Sequence, residues 1–150
     1  MNKSNDVLRF FNFINQENNV LKRHSENLIQ NLHDYLTLHD EVKHSVVSKL
    51  TDSDARFLIM PFNLTVSYRG SYKLFEVEKD VSSYCYEMTF FNTKNKEDII
   101  YFTAYITGDE YLVSNVNQPG SICQVYNENR GQKVFARILD NLYKNKIISI

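Results

Sequence analysis

The chain has 150 residues, 43% of them hydrophobic, with 17 lysines and arginines against 18 aspartates and glutamates. That length suits one domain able to bury most of what its unfolded form exposes. The longest strongly apolar stretch, Phe57 to Phe62, is too short to cross a bilayer, no leader segment is visible, and Cys85 and Cys123 are the only thiols, so a reduced, cytoplasmic setting without a membrane anchor is expected.

Apolar residues repeat at helical spacing over 1–52. Ser4 or Asp6 can cap the start, followed by Val7, Leu8, Phe10, Phe11, Phe13 and Ile14. After a polar interval at 15–19 the pattern resumes with Leu21, Leu28, Leu32, Tyr35, Leu36, Val42, Val46 and Leu50. Ser25-Glu26-Asn27 offers a second start, so two helices divided around 15–25 are predicted, with one continuous helix as the alternative. Thr51-Asp52-Ser53-Asp54 closes the region with cap and turn residues.

From 57 to 126 the period changes to two. Turn chemistry at Arg69-Gly70-Ser71, Glu78-Lys79-Asp80, 92–98, Gly108-Asp109 and 117–120 divides this region into strands near 64–68, 72–78, 82–91, 99–107, 110–116 and 121–126. The intervals are too short for crossover helices, so consecutive strands pair antiparallel as a meander. Over 128–146, Asn127 or Asn129 can cap a closing helix whose stripe is Val134, Phe135, Ile138, Leu139, Leu142 and Tyr143, with Ile147, Ile148 and Ile150 docking the tail. The expected fold is therefore a single α+β domain: N-terminal helices and one C-terminal helix packed on a five- or six-stranded antiparallel β-meander.

Alternation assigns sides to the strands. One set, including Phe75, Val77, Tyr84, Tyr86, Met88, Phe90, Ile100, Phe102, Ala104, Ile106, Leu112 and Val116, is nearly all apolar and reads as the core face. The complementary set, with Glu76, Glu78, Cys85, Glu87, Thr89, Tyr101, Thr103, Tyr105, Tyr111 and Asn115, mixes carboxylates with hydroxyl-bearing rings. Tyrosine joins a broad apolar ring to a polar tip and is enriched at interfaces, whereas the plainer reading is a half-solvated face stabilised by cross-strand pairs. Between Leu74 and Glu110 the acids outnumber the bases, while 121–150 is basic. An acidic sheet disfavours nucleic acid and steers a basic partner toward itself.

Catalytic patterns are thin. His24, His33, His39 and His44 scatter around the helical region, and Glu41-Val42-Lys43-His44 is a single carboxylate–imidazole pair, short of any metal-site spacing. No Gly-x-Ser-x-Gly elbow occurs, the four glycines form no phosphate loop, and strand cysteines act as small hydrophobes, so no catalytic residue, metal or cofactor is assigned. The layout of helices, meander and closing helix resembles that of small bacterial binding proteins, toxin-neutralising immunity proteins among them, and also that of small cone-shaped ligand-binding domains. Heavy use of asparagine and the lack of tryptophan suit a bacterial or phage coding sequence.

The leading expectation is a small protein-binding module, an inhibitor or immunity-type protein, presenting Glu76, Glu87, Tyr101, Thr103, Tyr105 and Tyr111 to a basic protein partner. A rival reading places a small-molecule or enzymatic cavity between sheet and helices, lined by Tyr84, Tyr86, Phe102 and Tyr35. A third is a homo-oligomer built on the apolar helical region.

Overall fold

A computed structural model of the protein describes residues 3–117 and 120–149. It is α+β, with a long helix α1 (Lys3–Leu38), seven strands, β1 (Val46–Leu50), β2 (Ala55–Ile59), β3 (Leu64–Glu78), β4 (Val81–Lys94), β5 (Glu97–Ile106), β6 (Tyr111–Val113) and β7 (Cys123–Gln124), and a closing helix α2 (Arg130–Lys144). The strands form one antiparallel sheet in sequence order, β1 to β7, curled into a half-barrel. The predicted turn at 117–120 includes Gln118 and Pro119, and the predicted tail includes Ile150; these three lie outside the described residues.

The N-terminal region is one helix rather than two. No glycine or proline interrupts 3–38, and the hydroxyl of Ser25, the proposed second start, instead meets the phenol of Tyr68 on β3. At 1.5 Å per residue the helix is roughly 54 Å long. Its buried residues, Leu21, Ser25, Leu28, Ile29, Leu32 and Leu36, all belong to the C-terminal half.

Two of the six expected strands merge into β3, and two further strands, β1 and β2, precede it; β1 comes from a segment expected to be helical. Val42, Val46 and Leu50 are spaced by four, which is a multiple of two as well as a helical interval, so the spacing alone does not separate the two structures. The helix stops at Leu38, a turn follows in which His39 N–H donates to the Tyr35 carbonyl, and the β-branched pair Val46-Val47 opens a strand with Val46 inside and Val47 outside. Thr51 to Asp54 is then the loop of the β1–β2 hairpin, where Thr51 N–H donates to the Asp54 carbonyl at 2.8 Å.

Arg69-Gly70-Ser71 is likewise not a turn, for β3 runs straight through it. Gly70 serves close packing: a Cβ there would lie 2.5 Å from both the Tyr68 hydroxyl and the Tyr86 ring.

Both helices pack on one face of the sheet, and a single apolar cluster joins Leu28, Leu32 and Leu36 of α1 to Met88, Phe90, Ala104 and Ile106 of the sheet and to Val134, Phe135 and Ile138 of α2. Asn129 makes no side-chain cap at the start of α2. That role falls to Asn31 of α1, whose Oδ1 accepts from Gly131 N–H at 2.9 Å and whose Nδ2 donates to the Glu128 carbonyl. Gly131 allows the helices to meet backbone to backbone, since a Cβ at this position would come within 2.5 Å of Leu32.

Two contacts fix the direction of α1 over the sheet. Ser25 meets Tyr68, and Glu17 accepts a 2.6 Å hydrogen bond from the Tyr72 hydroxyl. From Ser25 to Glu17 the helix advances about 12 Å, and from Tyr68 to Tyr72 the strand advances about 13 Å, so α1 runs antiparallel to β3. Its N-terminal stretch therefore lies alongside the tip of the long β3–β4 hairpin.

Candidate functional site

Two β-bulges decide which side chains share a face, and neither has a sequence signature. The first lies between Glu76 and Glu78 in the β3–β4 hairpin, after which Tyr72 faces Tyr86, Leu74 faces Tyr84 and Phe75 faces Ser83. Cross-strand partners point the same way. Phe75 thus belongs with Cys85 and Glu87 on the sheet face away from the helices, not with Tyr84 and Tyr86, Glu76 belongs on the helix side, and Val77 is the extra residue of the bulge. The second bulge inserts Tyr101 into β5, with Phe90 opposite Phe102 but Phe91 opposite Ile100. Ile100, expected in the core, is 55% exposed, while Tyr101, expected on the outer face, is 3% exposed inside the apolar cluster. The Asn141 side chain of α2 donates to the Tyr101 carbonyl at 3.2 Å, and the Tyr101 hydroxyl is buried without a hydrogen-bond partner.

Among the described residues no helix covers the opposite face. Its centre is Tyr105, directly across from Glu87 on β4 and Val113 on β6, with the Phe75 ring against it edge to face at 5.1 Å. Burial is the main cause that raises the Tyr105 phenol above its ordinary range, and the nearby Glu87 carboxylate adds to it. Thr103 faces Thr89, and Tyr111 stands exposed on β6, its hydroxyl accepting from Gln124 Nε2 at 3.3 Å. Of the expected site residues, the structure therefore gathers Glu87, Thr103, Tyr105 and Tyr111 on one open face, places Glu76 near the hairpin tip on the other, and buries Tyr101.

Several members of this face carry no signal in the sequence. Lys73 reaches Glu87 at 2.9 Å, Arg69 reaches Asp98 at 2.6 Å, and the Arg69 guanidinium lies 4.4 Å above the Phe91 ring. The Arg69 and Thr93 hydrogen bonds hold the Asp98 carboxyl below its ordinary range. These pairs neutralise the middle of the face. The acidity collects instead at one end, where Glu76, Glu78 and Asp80 of the β3–β4 tip and Asp109 of the β5–β6 turn are all exposed. None of the four takes part in a salt bridge among the described residues.

Cys85 also sits on this face but is overlain by its neighbours, and burial with the Glu17 and Asp109 charges pushes its thiol up to about 11. A thiol that stays protonated at neutral pH is a poor nucleophile. Cys123 is buried too, and desolvation raises it despite Lys133 and Arg130 nearby.

The rings named for a cavity do not converge. Tyr84 stacks on Tyr72 at 4.9 Å, Tyr35 leans on His39 and Phe135, and Phe102 packs on Phe90 in the core. Tyr86 alone borders the largest cleft, a space of ≈ 650 Å³ between α1, the β1–β2 loop and β3. Its walls include Lys22 and Glu26 of the helix, Asp52 of the loop, and Tyr68 and Arg69 of β3. Burial drives the Tyr68 phenol far above its ordinary range.

The histidines remain apart. His24 stacks edge-on against Tyr126 at 5.2 Å with its Nε2 at 3.5 Å from Glu110, and His33 hydrogen-bonds Ser48 across the helix–strand seam. Among the described residues there is no group of three or more His, Cys, Asp or Glu that could hold a metal ion, and no helix is long and apolar enough to cross a membrane. Comparison with known proteins returns no match: no family model fits the chain, and no curated protein or solved structure is similar to it.

Proposed function

We propose that this protein is a binding module of inhibitor or immunity type, which docks a basic protein partner against the acidic end of its open sheet face. The observation that carries this reading is the half-buried Phe75–Tyr105 ring pair at the end of the face that holds the exposed carboxylates of Glu78, Asp80 and Asp109, none of which takes part in a salt bridge among the described residues. Rings at the centre of a contact supply buried area, and a rim of unpaired acids steers a basic surface and sets the association rate. Glu87, Thr103 and Tyr111 extend the contact along the same face, and a partner seated there has its own basic surface occluded.

Ser83, exposed and directly opposite Phe75, is the position for a photo-crosslinking residue in cells that make the protein. The expected result is one dominant crosslinked partner with a basic surface. It should be lost on Tyr105→Ala and weakened at about 0.5 M salt, where the Debye length falls to a few ångströms. Crosslinks that survive Tyr105→Ala, or that form equally from Val47 on the far edge, overturn the assignment.

A second reading is favoured by the cleft over Tyr68 and Tyr86. Its volume is that of a small-ligand site, and its lining includes Lys22 and Glu26 of the helix with Asp52 and Asp54 of the loop, which suits a small zwitterion. Saturable binding of an amino acid or betaine that is abolished by Lys22→Ala and Asp52→Ala supports this second site; no stabilisation of the protein by any such compound removes it.

A further inference from the structure

On a helical wheel of about 100° per residue, Val7, Phe10, Phe11 and Ile14 fall within the same arc of about 100° that holds Leu21, Ser25, Leu28, Ile29, Leu32 and Leu36. It is one stripe. The second half is sealed against the sheet and α2, but the first half is bare: Val7, Phe10 and Phe11, with Leu8 and Phe13 on its flanks, are 50–61% exposed. The neighbouring hairpin is bare in the same place, with Leu74, on the helix-side face, 56% exposed. The Glu17–Tyr72 hydrogen bond marks where helix and hairpin stop touching. Beyond it stands an open apolar corner.

We infer that this corner receives the same helix from a second copy of the chain, packed antiparallel about a two-fold axis between Phe10 and Phe11. The pattern is self-complementary in that direction. Phe10 meets Phe11 of the partner subunit, Val7 meets the partner's Ile14, and Lys3 comes within a turn of the partner's Glu17, pairing opposite charges at both ends. Burying the exposed parts of Val7, Leu8, Phe10, Phe11 and Phe13 on both copies removes on the order of 1,200 Å² from water, the lower bound of a stable specific interface. A bilayer surface fits the stripe less well. The polar side of this stretch is Asn5, Arg9, Asn12 and Gln16, with one cation where a membrane-surface helix carries a row of them, and residues 3–19 have no net charge. This dimer uses a surface separate from the open sheet face, so it stands or falls independently of the proposed function.

Molar mass by light scattering over a range of concentrations, combined with sedimentation, tests the inference. The unmodified chain should weigh twice its 17.7 kDa, and Phe10→Glu with Ile14→Glu should halve that mass while leaving the circular dichroism and the melting of the packed half unchanged. Orientation is read from disulfides: Val7→Cys mixed with Ile14→Cys should crosslink to each other, and neither should crosslink with itself. A monomer at every concentration overturns the inference, as does a dimer untouched by the two glutamates. Self-crosslinking of Val7→Cys alone rejects the antiparallel arrangement, and a monomer that binds vesicles of phosphatidylglycerol and phosphatidylcholine through Phe10 assigns the stripe to a membrane instead.

Discussion

The two halves of α1 carry the same apolar stripe and meet opposite fates. Between Leu21 and Leu36 every residue of the stripe is enclosed by β1, β3, β4 and α2, whereas between Val7 and Phe11 the stripe extends past the packed body and faces solvent, with Ile14 half-buried at the junction. Amphipathic periodicity reports that a helix wants a partner, and it is silent on whether the partner lies in the same chain. The packed half owes its closure to two tight contacts, Gly131 on Leu32 and Asn31 on the start of α2, for which the bare half has no counterpart except the single Glu17–Tyr72 bond.

That contrast is open to attack at several strengths. The largest effect should come from Leu36→Ala, which empties a fully buried site and costs about 2–5 kcal/mol in chemical denaturation of a dilute sample, against about 0.5 kcal/mol or less for Phe11→Ala at the bare end. Equal losses at the two positions would erase the distinction. Gly131→Ala should follow at about 1–3 kcal/mol, because its methyl group would push the helix backbones apart, and the loss should appear as a lower melting temperature. Tyr101→Phe should move the other way, raising stability by about 1 kcal/mol, since it deletes a hydroxyl sealed in the core without a partner.

The smallest effect concerns the tether. The Tyr72 phenol is raised above its usual 10.0, chiefly by burial and then by the Glu17 carboxylate, so the folded chain holds this proton more tightly than the unfolded chain does. The resulting stabilisation is complete below pH 10 and is lost as pH rises beyond it. Tyr72→Phe should reduce the alkaline slope, to which the raised Tyr68 and Tyr105 phenols also contribute, cost about 1 kcal/mol at neutral pH, and speed amide exchange at 7–20 while leaving 28–36 protected.

Much of the architecture is readable from residue order. The closing helix, the antiparallel meander and the α+β class follow from apolar period and from intervals too short for crossovers, and α2 begins within two residues of the expected start. What escapes is local and discrete. Val42, Val46 and Leu50 satisfy both periods, so β1 reads as helix until its backbone is seen; Gly70 resembles a turn until two tyrosines are found lying over it. The bulges have larger consequences, because each extra residue reverses parity on one side of itself. They move Phe75 onto the open face, Glu76 off it, and Tyr101 into the core. The Lys73–Glu87 and Arg69–Asp98 pairs are invisible for a related reason: register determines which charges meet, and composition over a segment reports only their sum.

The Asn31 cap has a bearing on how the chain is made. The first turn of α2 depends on a side chain synthesised a hundred positions earlier, so α2 emerges from the ribosome without an N-terminal cap of its own, and the seam is finished only after 130–144 have been made. Until then Leu28, Leu32 and Leu36 have only part of their cover, and the nascent protein passes through an interval in which the α2-facing side of its first helix is open to chaperones and to other chains.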